Sequence, residues 1–441
     1  DNNSGLASAA NIVTMDVAVV VDNFDYSAVP TPFTFASALL SIEIQGLFAA
    51  NGLANYTWFG DFQFNSTIAG NTITTNGQAF NHNFYFIGTQ TVEILDDLTT
   101  LKSLFVNQGG IVSNNTTISC LDFNSNTITA RSIDLDNSTI NLSGTNWIIN
   151  PTAITWTSAG SIINLNNPGA IAFQGGSVIY NDVFSASSNL SISNNNSFAL
   201  LSLAPATTLT LANSSNQIID SLIAPGGDCT TSFIVQSSNP ANPSASITKS
   251  GFAVFNASHL AINNVDAIAP AIYNIALSDT TNGAEGWTYS GAAYYWVGGT
   301  GNWSDPAHWS FSSGGPTAVC VPTYPDSVIF DGLSFSGAGQ EVLVDIDAYF
   351  NYMDWSASTN NPTLKLDTNI YSGGDIIFNA NVFVTRTALE HRIEFTGQAD
   401  FDPNAAVIDC NISVLMNDEM DGVVLFSTLD MTDSSSIYLL K

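Results

Sequence analysis

From about residue 62 the chain alternates apolar and polar residues in short runs, such as NTITTNG, NFYFIG, TVEILDD, TTISCLDFNSN, STINLSG and NWIINP. A two-residue period puts every second side chain on one face, so each run predicts a short strand with one buried face. Asn, Gly, Asp or Ser closes each run, and these residues tolerate left-handed backbone and form side-chain-supported turns. The same grammar continues through SIINLNN, AIAFQGG, LSISNNN, ATTLTLANSS, SFIVQSS and HLAINNV, with helical periodicity nearly absent. Before residue 60, the Ala- and Leu-rich run between Phe35 and Phe48 admits a helix. Pro30 and Pro32 just ahead of it, and the alternation of Ile42 and Ile44 about an acid, favour strands.

Two folds fit this grammar: a string of antiparallel β-sandwiches, or a parallel β-solenoid in which like positions stack from coil to coil. Short, densely spaced strands, inward positions that are repeatedly Ile, Leu, Val and Phe, and Asn-rich turns able to form amide ladders favour the solenoid. The predicted fold class is therefore all-β, with parallel β-solenoid (β-helix) units in tandem. Coils of about 20 residues over roughly 200–250 residues give about a dozen coils and a rod of roughly 50–60 Å, at about 4.8 Å per coil. Such a rod has open strand edges at its ends, which must be capped or stacked.

The chain also carries punctuation. A break with Pro240 and Pro243 and a Gly/Ala/Thr linker lead into residues 294–330, which hold Trp296, Trp303 and Trp309 together with Pro306, Pro316, Pro322 and Pro325. Strand grammar restarts behind it. GDFQFN at 60–65 resembles GDIIFN at 374–379, and the Gly77-Gln78 and Gly397-Gln398 pairs both lead into alternating strands. The expected organisation is a solenoid unit over 1–290, its N-terminal part incomplete or a cap, and a Trp-rich cap and linker over 291–441 that opens a second unit.

Charge narrows the partners. There are 37 acidic residues against 7 Lys and Arg, a net charge of −30, and only 10% of residues are charged against a usual share of about 25%. Solubility rests on Asn, Ser and Thr. So few cations cannot neutralise many phosphates, which excludes nucleic acid as a partner and disfavours anionic membranes. Cations such as Ca2+, or glycans, remain. No run of about 18 apolar residues is present, so no membrane-spanning helix is expected. The chain opens at Asp1 with neither a signal peptide nor a Met, which reads as a processed product or a segment of something longer. The four cysteines, Cys120, Cys229, Cys320 and Cys410, lie far apart without metal-ligand spacing. They read as buried free thiols, or as containing one long-range disulfide.

Chemistry is sparse. The acid pairs are Asp96-Asp97, Asp134/Asp136, Asp345/Asp347, Asp400/Asp402 and Asp418-Glu419. Polysaccharide-cleaving solenoids need clustered carboxylates, often with calcium and a basic residue. Arg131, Arg386 and Arg392 sit beside no such pair in sequence. His82, His259, His308 and His391 are scattered and read as structural or exposed. The Asp-rich turn DLDN offers hard oxygen ligands to Ca2+, but no catalytic residue, metal-ligand set or further cofactor is assigned.

The Trp-rich stretch has its own logic. Trp296, Trp303 and Trp309 each carry a large area to bury and an N–H that needs an acceptor. With His308 packed among them and glycines allowing close approach, they form a cap over an exposed solenoid end; a glycan-binding aromatic platform is the rival reading. The pattern W-V-G-G-x-G-N-W-S-D-P-x-x-W-S through D-S-V-x-F-D at 296–331, followed by M-D-W-S-x-x-T-N-N-P-T-L at 353–364, resembles the repeat unit of very large secreted surface adhesins of gliding Bacteroidota. The resemblance implies export by the type IX route and display on the cell surface as an adhesive filament. Its implied partners are other copies of the same protein, secretion and motility machinery, and an unspecified substratum or glycan. It also implies O-glycosylation at Asp-Ser/Thr triplets, here at Ser221, Thr280 and Ser327. Such units often carry a second cysteine just before Met353; this chain has none at 348–352, so Cys320 is expected without that partner. The expected role is structural and adhesive, in gliding-type motility or surface adhesion, and not enzymatic. The alternatives are a polysaccharide-degrading β-helix enzyme and a self-assembling extracellular fibre subunit.

Overall fold

Alternation in sequence becomes alternation in burial. In the strand Thr91–Ile94, Val92 and Ile94 are buried while Thr91 and Glu93 face outward. In Thr117–Cys120, Ile118 and Cys120 are buried. Each inward position sits over its counterpart one coil on. Phe84 pairs with Leu104, Leu104 with Phe123, Phe123 with Trp147 and Trp147 with Phe173. Like stacks on like: Phe64 and Phe86 lie 5.1 Å apart, and Phe123 and Trp147 4.6 Å, both face to face.

The structure is a computed structural model that describes residues 12–14, 18–29, 32–36, 40–57, 60–223, 233–239, 244–250, 254–258, 260–276, 279–281, 284–289, 291–415, 423–425, 427, 429–431 and 435–440. It is an all-β parallel solenoid of about 16 turns. Before residue 290 every strand pairing among the described residues is parallel, which removes the sandwich alternative. Three long sheets run along this part. A 13-stranded sheet extends from Val19–Val21 to Asp279–Thr281, a 10-stranded sheet from Ala79–Phe80 to Val265–Ile268, and a 7-stranded sheet from Phe24–Asp25 to Ile154–Thr157. Thirteen strands at about 4.8 Å spacing make a stack of about 60 Å. The ambiguous early run forms the strands Phe33–Ala36, Ile42–Ile44 and Phe48–Ala49.

The turns hold the stack together through polar side chains. Asn76, Asn114, Asn115, Asn137, Asn194 and Asn264 occupy left-handed backbone. On the 10-stranded sheet, Asn164 Nδ2 donates to Asn141 Oδ1 at 2.9 Å and Asn141 Nδ2 to Ser119 Oγ at 3.3 Å. These three residues lie on strands, so this short ladder of one amide–amide and one amide–hydroxyl bond runs along a sheet face and not through the turns.

One core cluster runs from Tyr26 to Ile275 and a second from Tyr294 to Val414. No sheet among the described residues joins strands from both sides of residue 290. The later part has its own seven-, six- and five-stranded sheets.

The coil changes cross-section partway along the first stack. Up to Ile154–Thr157 each coil contributes a strand to the 7-stranded sheet, and among the described residues none follows. At Gly176 (φ +68°) and Ser177 (φ +57°) the chain turns directly from Ala170–Gly175 into Ile179–Ser185. The step from Trp147 to its partner Phe173 is 26 residues, and from Phe173 to Ile192 it is 19. Gly176 suits this short cut because a Cβ there would lie 2.4 Å from Ile149 Cγ2.

Candidate functional site

The Trp-rich segment opens the second stack. Ala293–Trp296 runs parallel to Ser327–Ile329 on one side and antiparallel to Trp309–Ser310 on the other. The reversed strand covers what would otherwise be the open first edge of the seven-stranded sheet. Gly298 and Gly299 (φ +85° and +79°) turn the chain, and a 3-10 turn at Pro306–His308 returns it. Asp305 caps that turn, accepting the Ala307 amide at 2.9 Å.

Trp296, Trp303 and Trp309 are fully buried, as is Trp355 from the following coil. Trp309 stands edge-on to Trp296 at 5.0 Å and to Trp303 at 4.8 Å, and Trp355 stacks on Phe330. Trp296 Nε1 donates to Gly299 O at 2.6 Å and Trp309 Nε1 to Trp303 O at 2.9 Å. Trp303 Nε1 finds no acceptor, a cost its buried ring area offsets. His308 lies flat on Trp296 at 4.9 Å, and its Nδ1–H donates to Val297 O at 2.9 Å. Packed this way, the three indoles leave no ring face to solvent for a sugar.

The cluster is sterically tight. A Cβ on Gly301 would lie 2.1 Å from His308 Nε2. Gly301→Val is expected to force His308 off Trp296 and cost about 1–3 kcal/mol, read as a lowered unfolding midpoint in urea. An unchanged midpoint would mean the ring stack contributes nothing.

Asp326 ties this segment to the chain before it. The residue is fully buried, and its carboxylate accepts the Ala292 amide at 2.8 Å and the Thr323 amide at 2.9 Å. Burial pushes its pKa above the usual carboxylate range, and the two amides pull it partly back. With the folded pKa above the unfolded one, the native state binds the proton more tightly. The contribution is then fully present below the ordinary value near about 4 and is lost as pH rises through the raised folded value. Asp326→Asn is expected to remove that component. The fall in stability between acid and neutral pH would be shallower than in the unaltered chain, measured by urea titration across pH; an identical slope would contradict the assignment.

Cys320 is disulfide-bonded, which is the disulfide alternative rather than the free-thiol one, and its partner is not at 348–352, where the chain has no cysteine. Distance along the sequence does not set distance across stacked coils, so the lack of a neighbour at 348–352 did not preclude a bond. Cys229 lies outside the described residues. Cys120 and Cys410 are free and buried, and burial pushes both thiols up to about 12. They pack as small apolar groups and are not reactive.

Most of the paired acids are engaged in holding coils together, while Asp400 is an exposed acid on the strand Ala399–Asp402. Asp96 accepts the amides of Thr75 and Asn76 at 2.7 and 2.6 Å, and Asp97 that of Thr117 at 2.7 Å. Asp136 accepts Ala159 N at 2.6 Å, and Asp134 accepts Asp136 N at 3.0 Å. Asp345 takes the amide and hydroxyl of Ser304, Asp347 those of Asn369 and Thr368, and Asp402 the Ser427 hydroxyl. Most of these bonds join neighbouring coils, so the carboxylates act as clamps on backbone donors. Asp418 and Glu419 lie outside the described residues.

The arginines are also committed. Arg392 pairs with Glu394 at 2.8 Å, and Arg386 lies 3.9 Å from Asp409. Arg131 is buried and bonds Ser125 Oγ and the carbonyls of Ser125, Thr129, Asn150 and Thr152. Its alternation-matched position on the strand Arg131–Asp134 marks it as inward in sequence, but nothing local shows the ring of carbonyls waiting there. His82 is buried against Gly60 O, and His259 lies outside the described residues.

Among the described residues no three His, Cys, Asp or Glu side chains converge as a metal site, and no helix is long and apolar enough to cross a membrane. Of the modification candidates, Ser221 is exposed on Asn216–Ile223, Ser327 is half-buried between Asp326 and Val328, and the Thr280 side chain lies outside the described residues. Comparison with protein-family models, curated proteins and solved structures finds no match to this chain.

Proposed function

We propose that this chain is a structural and adhesive segment of a long extracellular cell-surface filament, in gliding-type motility or surface adhesion. The observation that carries the reading is the restart: a second parallel stack opens behind the buried tryptophan cluster, as tandem units of one filament would. The commitment of carboxylates to clamping coils suits a load-bearing spacer. The disulfide at Cys320 suits an oxidising exterior, and the resemblance of residues 296–331 to surface adhesin repeats points the same way. On this reading export follows the type IX route. The partners are further copies of the unit, the secretion and motility machinery, and a substratum or glycan, with Ser221 the best-presented O-glycosylation candidate. The competing reading, polysaccharide cleavage on the same fold, is separated by incubating the purified chain with polyuronates and neutral polysaccharides. No new reducing ends above buffer are expected; product release would overturn the structural reading.

A further inference from the structure

The narrowing of the coil at Gly176 leaves a ledge on the side of the first stack. Among the described residues the last strand of the 7-stranded sheet, Ile154–Thr157, has a neighbour on one side only. The Ala153 and Thr157 carbonyls accept the Arg131 and Leu135 amides of the preceding coil. Backbone groups in a strand alternate sides, so the amides and carbonyls of Ile154 and Trp156 point the other way, to where no strand pairs with them. Their side chains point along the core: Trp156 is in register with the fully buried Ile133. Yet Ile154 and Trp156 are only half-buried, because no strand of the next coil stacks over them.

Trp156 is held in place, with Nε1 donating to Ile179 O at 2.8 Å and its ring 5.2 Å from Tyr180. Beyond it lies a groove of about 480 Å3, lined by Ile154, Trp156, Val178, Ile179, Ala199 and Asp220 among others. Ile179 is 70% exposed.

We propose that this ledge docks an extended, basic peptide segment of another protein as an added strand beside Ile154–Thr157. An open strand edge offers main-chain bonds to one kind of ligand, a chain in β conformation. The half-exposed Ile154 and Trp156 require alternate apolar residues on its inner face. Charge sets the rest. The lining holds Asp220 and no Lys or Arg, and Asp136 sits at Ala159 beside the groove. Lys249 reaches the main-chain oxygen of Asp220, and the Asp220 carboxylate accepts from Ser250. A second copy of a chain with net charge −30 is the wrong electrostatic match for this edge. The inference does not depend on the adhesive reading.

The test uses the whole chain and fluorescein-labelled, end-blocked hexapeptides of sequence KVTVKV, EVTVEV and KVTPKV, followed by anisotropy. The basic peptide is expected to saturate. The acidic one should bind at least tenfold more weakly, and the proline one, which lacks a main-chain donor, likewise. Ala199→Trp, placed at an exposed lining position, should weaken KVTVKV at least tenfold by filling the groove, with the melting temperature unchanged. Asp220→Asn should weaken it about threefold, the scale of one exposed ion pair. Absence of saturable binding, equal affinity for the proline peptide, or indifference to Ala199→Trp would overturn the proposal. So would self-association abolished by Ala199→Trp, which would make a second copy the occupant, or an oligosaccharide bound by the chain and lost in that variant.

Discussion

Trp147→Ala is expected to destabilise the first stack by about 3–5 kcal/mol, the cost of emptying a fully buried aromatic site. Trp147 lies between Phe123 at 4.6 Å and Phe173 at 5.8 Å, both stacked on it. Its Nε1 donates to Tyr180 OH at 3.0 Å, which in turn donates to Gly175 O at 2.8 Å. Truncation therefore opens a cavity and also deprives the Tyr180 hydroxyl of its donor at the point where the coil narrows. In a stack where each coil touches only its neighbours, such a lesion weakens the coupling between the two sides. Urea unfolding followed by circular dichroism measures it, with a transition that moves to lower urea and loses steepness. A shift worth under about 1 kcal/mol would place Trp147 outside a continuous core.

Arg131→Met is expected to cost at least about 3 kcal/mol for a different reason, because several buried carbonyls lose their donor at about 1–3 kcal/mol each. The corner of a parallel solenoid brings successive turn carbonyls together, and each needs a donor once buried. The guanidinium supplies five donors in a fixed fork, and it reaches Thr152 O at 2.6 Å and Asn150 O at 2.5 Å from within the corner. Methionine fills much of the volume and satisfies none of these carbonyls. Lysine keeps the charge but not the fork, so Arg131→Lys should fall between the two. Amide exchange at residues 150–157 is the sensitive readout, because those residues form the turn and edge strand that Arg131 supports. Unchanged exchange there in Arg131→Met would contradict the role. Trp147 and Arg131 lie on adjoining coils, so the double variant is expected to depart from additivity.

The strand pattern, the parallel stacking and the tandem restart rest on local signals: two-residue alternation, Asn-rich turns and a tryptophan-dense segment. Those survive translation into structure because burial acts position by position. What lies between coils is not local. Asp96 and Asp136 look like solvated surface acids until the Thr75, Asn76 and Ala159 amides, 20 to 23 residues away, come within bonding distance. In sequence Asp326 is only the neighbour of Ser327, and nothing local shows that it is buried and bonded to the Ala292 and Thr323 amides. Arg131 likewise appears as an arginine without an acid partner, whereas its partners are carbonyls. The ledge is the hardest to read. AIAFQGG-SVIY carries the same alternation as earlier coils, and the loss of one strand shows only in a shorter coil. For the tryptophans, residue type and spacing announce a large buried cluster, while which N–H would go without an acceptor depends on packing.

An adhesive spacer is the role we propose for this chain. It is tested most directly by coating beads with the purified, disulfide-intact protein and measuring their detachment from glass and polysaccharide-coated surfaces under rising shear. Retention well above albumin-coated beads on at least one surface is the predicted result. Detachment indistinguishable from albumin on all of them would contradict it.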